Sequence, residues 1–130
     1  MFQVTDLQLD VLKVLWARGE GTVADVHGAL EGNRGLATTT VATLLSRLEK
    51  RGLVAHRSEG RRHVYRALVT EPEVASALLD SVTDNVFGGD VTALVSHLLE
   101  ARDVSPGDLE AVQEIIQRML PPEPEDRHES

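Results

Sequence analysis

The sequence predicts a mainly α chain with one small β-hairpin: three short helices, the hairpin, then three further helices. Three observations carry this prediction. Apolar residues recur at helical spacing in six stretches, each bounded by Gly, Pro or a Ser/Thr/Asp cap. Between the third and fourth stretches, two short runs, Leu53–Arg57 and His63–Ala67, flank the loop Ser58-Glu59-Gly60-Arg61-Arg62, where Gly60 is free to take positive φ. Aromatic residues make up only 3% of a chain that is 42% hydrophobic, so the core must be built from Leu, Val and Ala, with Trp16 as its aromatic anchor.

The first helix is expected from Asp6 to Ala17. Thr5 and Gln8 fit a capping box, Leu7, Val11, Leu12, Val14, Leu15 and Trp16 supply the apolar stripe, and Gly19 and Gly21 end it. The second begins after Thr22, with Asp25 at the reciprocal capping position and Val23, Val26 and Leu30 on one face. Gly32 should stop it, and Asn33-Arg34-Gly35 reads as a turn. Gly28 weakens this helix by about 1 kcal/mol relative to Ala, unless the third helix passes close by and needs the space. The third helix runs from Thr38 or Thr39 to Arg51, with Thr38 as the expected N-cap and Gly52 as a left-handed C-cap closed by Leu53. Thr70-Glu71-Pro72-Glu73 opens the fourth, striped with Val74, Leu78, Leu79 and Val82, and Phe87-Gly88-Gly89 breaks it. Asp90 opens the fifth, and Ser105-Pro106 opens the sixth, which Pro121-Pro122 stops.

Net charge divides unevenly. Residues 1–69 hold ten Lys/Arg against seven Asp/Glu, whereas residues 70–130 hold three against fourteen. The positive excess concentrates in residues 34–66, with eight basic and two acidic side chains. Such a split points to nucleic acid as the partner of the first half. The absence of cysteine excludes disulfides, thiolate metal sites and cysteine nucleophiles. No apolar run approaches the roughly 20 residues that cross a bilayer, and no signal peptide opens the chain, so a cytoplasmic protein that does not itself enter a membrane is expected. No glycine-rich phosphate loop, paired-carboxylate site or Ser/His/Asp order suggests an enzyme or a cofactor, and no catalytic residue is assigned.

The third helix is the informative one. Val41, Leu44, Leu45 and Leu48 form its buried face, which leaves Thr39, Thr43, Ser46, Arg47 and Lys50 on the other. Three helices and a basic hairpin make a winged helix-turn-helix. In that arrangement Thr39, Thr40 and Thr43, near the N-terminal part of the helix, are the candidates for base edges; Arg47 and Lys50 suit phosphate or guanine; and Arg61 and Arg62 in the wing suit phosphates or the adjacent minor groove. Arg57 and Arg66 are expected only to keep the hairpin soluble. The last three helices have apolar faces too broad to bury among themselves, which predicts a homodimer. The domain plan is a winged-helix DNA-binding domain over 1–69, a three-helix dimerisation domain over 70–120 and a flexible tail over 121–130.

The Thr5–Trp16 helix, the Thr22-Val23-Ala24-Asp25-Val26 helix start, Leu36–Val54 and the wing Gly60-Arg61-Arg62-His63-Val64-Tyr65 together resemble the penicillinase repressor (BlaI/MecI) family over about residues 4–120. The resemblance implies a homodimeric repressor on an inverted-repeat operator of double-stranded DNA. It places Thr39, Thr40, Thr43 and Arg47 in the recognition helix and Arg61 and Arg62 in the wing. It also implies a membrane sensor protease as partner, inactivating the repressor by cleavage in the C-terminal domain. Around Ser96-His97-Leu98-Leu99 the chain departs from the penicillinase repressors, and the C-terminal Cys motif of the copper-responsive members is missing. Two other readings compete. One is a winged-helix sensor of a small molecule or metal, though His27, His56, His63 and His97 are dispersed, with no two at i, i+4 on a predicted helix, and no metal ligands are assigned. The other is a protein-interaction adaptor, which has no need of Arg47, Lys50, Arg61 and Arg62 together.

Overall fold

The computed structural model describes residues 3–122, the side chains of 31–34 excepted. The tail expected over 121–130 therefore lies, from 123 onward, outside the described residues. The order is α1 (Asp6–Arg18), α2 (Val23–Arg34), α3 (Thr38–Lys50), β1 (Val54–Glu59), β2 (Arg62–Ala67), α4 (Glu71–Asn85), α5 (Val91–Ala101) and α6 (Pro106–Met119). The winged helix-turn-helix followed by three helices is thus present as expected. The chain divides into two compact units, one ending at Val86 and one beginning at Phe87.

Local chemistry starts most of these helices. Thr5 Oγ1 accepts from the Gln8 amide while Gln8 Oε1 accepts from the Thr5 amide, both at 3.2 Å. The same reciprocal box opens α2 through Thr22 and Asp25, α4 through Thr70 and Glu73, and α6 through Ser105 and Asp108. Asp90 caps α5, its side chain accepting from the Ala93 amide at 3.1 Å. Helix α3 differs from expectation: Ala37, not Thr38, is its N-cap, no side chain closes its first turn, and Thr38 is already helical and exposed. Its C-terminus closes as expected, with Gly52 at φ 79° and the Leu53 amide donating back to the Leu48 carbonyl at 3.0 Å. Gly32 does not stop α2, which continues to Arg34; the left-handed turn residue is Gly35, at φ 61°. A single glycine costs a helix only about 1 kcal/mol, less than the core contacts that hold the helix supply.

The hairpin is longer and tighter than its sequence suggested. Val54 pairs with Ala67 and Glu59 with Arg62, leaving a two-residue loop, Gly60-Arg61, with Gly60 at φ 64°. Glycine at the first loop position accepts the left-handed conformation that matches the twist of a tight hairpin. Gly21, between α1 and α2, adds a bridge to Tyr65, exchanging backbone hydrogen bonds of 2.8 and 2.9 Å. The wing is thereby pinned to the helical part.

The core of the first unit is aliphatic except for one tyrosine: Val11, Leu12 and Leu15 of α1, Val26 and Leu30 of α2, Val41, Leu44, Leu45 and Leu48 of α3, then Leu53, Val54, Tyr65 and Val74. Each fully buried Leu or Val contributes about 1.5–3 kcal/mol over an exposed one. Trp16 is not the central anchor expected of it. It packs half-buried at the edge, and its indole N–H donates to the Val69 carbonyl at 2.9 Å, tying α1 to the segment that leads into α4. Val74 is buried and Leu78 half-buried against this core, so by packing α4 joins the first unit. The second unit, α5 and α6, buries no side chain.

Two predictions arise here. A Cβ added at Gly28 meets nothing within 4 Å, so no close approach requires the glycine. Gly28→Ala should stabilise the chain by about 1 kcal/mol in denaturant unfolding. The second concerns acid. Amide hydrogen bonds from Thr70 to Glu73, and from Thr22 to Asp25, hold both carboxyls below their ordinary values. The unfolded state therefore takes up protons first as pH falls. This contribution is complete above the ordinary carboxylate range and is lost through the depressed folded values, below about pH 4. Glu73→Gln should flatten the fall of the thermal midpoint in that window.

Candidate nucleic-acid interface

Helix α3 is amphipathic because four aliphatic side chains recur on one side of it, and burial of that side fixes where the polar side points. Val41, Leu44, Leu45 and Leu48 are buried, while Thr39, Thr40, Thr43, Arg47 and Lys50 are all exposed. The Thr43 hydroxyl donates to the Thr39 carbonyl one turn back at 3.0 Å. With its proton so engaged, Thr43 offers its lone pairs and its methyl group outward. The helix start is held from below by His27, whose Nε2 lies 2.8 Å from the Leu36 carbonyl. Its far end is held by Arg51, which donates to Gln8 Oε1 at 3.0 Å and so is engaged within the fold.

The hairpin brings Arg61 and Arg62 to its tip, both exposed. Arg62 donates to Glu59 at 3.3 Å, and Arg61 has no ion-pair partner among the described residues. Behind them the wing is braced by a group that the sequence did not single out. Arg57 donates bidentately to Glu20 at 2.8 and 2.9 Å and also to Glu59 at 3.0 Å. These bonds hold Glu20 below the ordinary carboxylate range and raise Arg57 further above its own. Arg57 therefore does more than solubilise the strand. It ties the wing to the loop between α1 and α2. Glu20 lies 37 positions away in the chain, so no local pattern could have revealed the pair. On the opposite face of the hairpin, the His56 ring stacks on His63 with centroids 4.1 Å apart and meets Glu49 of α3 at 2.7 Å. Among the described residues no three His, Asp or Glu side chains gather into a metal site.

The exposed polar face of α3 and the basic tip of the wing thus belong to one compact unit, and a groove of about 470 Å³ is lined by Ala42 of α3, by the start of α2 and by Arg61 and Arg62 of the hairpin. Arg47, Lys50, Arg61 and Arg62 all remain available on the surface. No described helix is long and apolar enough to cross a membrane.

Known proteins share this plan. The sequence matches the family described as "Penicillinase repressor" over residues 4–118. It is 26% identical over 115 residues to the penicillinase repressor of Bacillus licheniformis, covering 88% of this chain and 90% of that one. It is 38% identical over 97 residues to the transcriptional regulator BlaI of Mycobacterium tuberculosis, covering 73% of this chain and 70% of the relative. Among solved structures, the DNA-binding domain of the repressor BlaI superposes with a TM-score of 0.50 at 33% identity, covering 53% of this chain and 84% of that domain. The chain belongs to the penicillinase repressor family of DNA-binding transcriptional regulators.

Proposed function

We propose that this transcriptional repressor works in the cytoplasm as a homodimer on an inverted-repeat operator, with α3 of each copy in the major groove and the hairpin along the adjacent backbone. The observation that carries the reading is the pairing, on one unit of an acidic chain, of the exposed Thr/Arg/Lys face of α3 with the basic wing tip. Thr39, Thr40 and Thr43 face the base edges. Because the Thr43 hydroxyl already donates within α3, it reads an amino group of adenine or cytosine, or the thymine methyl. Arg47 and Lys50 contact phosphate or guanine, and Arg61 and Arg62 contact the backbone beside the wing.

Dimerisation falls to residues 70–120, the winged helix being residues 1–69. In support, α5 and α6 bury no side chain, while Val91, Leu98, Leu109, Ile115, Ile116 and Met119 are exposed. A helical pair with that much bare apolar surface is stabilised by covering it. The strongly acidic composition of this half keeps it off the DNA. The reading contains no catalytic step and no cofactor. Family membership alone supports a membrane sensor protease that relieves repression by cutting the C-terminal helices.

The test is an anisotropy titration of the protein against the promoter DNA flanking its own gene, at two salt concentrations, with random DNA as competitor. Saturable binding that survives competitor and weakens with salt is the expected result. Binding no tighter than to random DNA at every fragment of a genome-wide selection overturns the repressor reading.

A further inference from the structure

The two elements assigned to DNA are joined side chain to strand at one place. Glu49 stands in the last turn of α3, seven residues on from Ala42 and so on the side of the helix that lines the hairpin groove. Its carboxylate oxygens lie 2.7 and 2.8 Å from Nδ1 of His56 in β1, and one of them accepts from the His56 backbone amide at 3.2 Å. An ionised carboxylate only accepts, so Nδ1 carries the proton. The His56 ring is held in turn by its neighbours. His63 of β2 stacks on it within 12° of parallel, and the Tyr65 ring tilts against it with centroids 5.3 Å apart. The Glu49 and His56 side chains are 33% and 29% exposed, which spares the pair part of the screening that makes surface ion pairs weak. The other braces of the wing, Arg57 on Glu20 and the Gly21–Tyr65 bridge, run to the loop between α1 and α2. Among the described residues, only Glu49 forms side-chain hydrogen bonds between α3 and a strand of the hairpin.

The place of this clamp gives it leverage. His56 pairs with Tyr65 and Glu59 with Arg62, so the clamp sits three residues from the last paired position of β1, about 10 Å at strand rise. A small tilt at His56 therefore displaces Arg61 and Arg62 relative to α3. By its charge alone Glu49 opposes a polyanion approaching this unit. Its bonds to His56 act the other way. Building on the DNA-binding reading above, we propose that Glu49 is a positioning residue: through His56 it fixes the angle between α3 and the wing, so that both meet one duplex. It touches no DNA itself.

The sign of one substitution separates positioning from plain charge. Glu49→Ala in the full chain removes a negative charge, which alone would tighten DNA binding. As loss of the clamp it should instead weaken operator binding about tenfold. His56→Ala should weaken it by a similar factor, and the two together by little more than either alone, because both break one interaction. Glu49→Gln keeps an acceptor for the ring N–H and should recover the binding. Since the effect travels through the wing, Glu49→Ala should cost little in a protein that already carries Arg61→Ala and Arg62→Ala. Circular dichroism and unfolding midpoints check that each variant is folded. Should Glu49→Ala not fold, His56→Ala with and without the two wing substitutions makes the same comparison. Equal or tighter operator binding by the folded alanine variants, or a loss that persists in full without the wing arginines, overturns the positioning role while operator binding stands. Failure of the wild type to bind any DNA overturns the DNA-binding reading itself.

Discussion

Arg47→Glu is expected to abolish operator binding while leaving the winged helix folded. Arg47 is exposed on α3, opposite the buried Val41, Leu44, Leu45 and Leu48, and no hydrogen bond or ion pair within the described residues depends on it. The folding cost is confined to its place in the last helical turn, where a cation is favoured by about 0.3–1 kcal/mol and an anion disfavoured. On DNA the change is much larger. A good bidentate contact to a base is worth about 1–3 kcal/mol, and reversing the charge adds repulsion from the phosphates to its loss, so affinity should fall about a hundredfold or more. Circular dichroism and the unfolding midpoint check the fold, and anisotropy checks the binding. If the residue contacts phosphate, Arg47→Ala should also lower the slope of log affinity against log salt by about one. Intact operator binding by the glutamate protein would remove α3 as the reading element and return the adaptor alternative.

The second large effect should come from Ile116→Asp in α6. Ile116 is 47% exposed and Leu98 of α5 is 53% exposed, and neither α5 nor α6 buries a side chain. A carboxylate placed in an apolar contact between two copies is desolvated without a partner. If the proposed dimer forms through this face, sedimentation should show a dimer for the wild type and a monomer for Ile116→Asp at the same concentration. The winged helix should keep its own stability, because its core draws on α1 to α4 and the hairpin. Operator affinity should fall about a hundredfold or more, since each half-site is then bound without the effective concentration that a linked second copy provides. An unchanged molecular mass would mean that this face covers something other than a second copy.

The legible parts of the chain were those governed by neighbours in sequence. Capping boxes at Thr5/Gln8 and Thr22/Asp25 and the Thr70 cap operate over three residues, and all are formed. The apolar stripe of α3 repeats at helical spacing, so the side it buries, and by subtraction the exposed set Thr39, Thr43, Ser46, Arg47 and Lys50, followed from spacing alone. Misreadings came where tertiary packing outweighed a weak local preference. Gly32 lies inside α2 because a single helical glycine costs little against a buried face, and Thr38 enters the helix instead of capping it because Ala37 already has the extended backbone of a cap.

What the sequence determined by itself is therefore the element order, the fold class and the polar face of α3, all set by short-range hydrogen bonds and by the periodicity of burial. Only the tertiary structure decided how the wing is braced, through Arg57 against Glu20 and the Gly21–Tyr65 bridge; where Trp16 lies, at the edge with its N–H on Val69; that α4 packs with the winged helix; and that Tyr65 lines a groove beside the start of α2. The physical reason is common to all four. Each depends on groups dozens of residues apart meeting in space, and their meeting is fixed by the packing of the whole core, which no local pattern encodes.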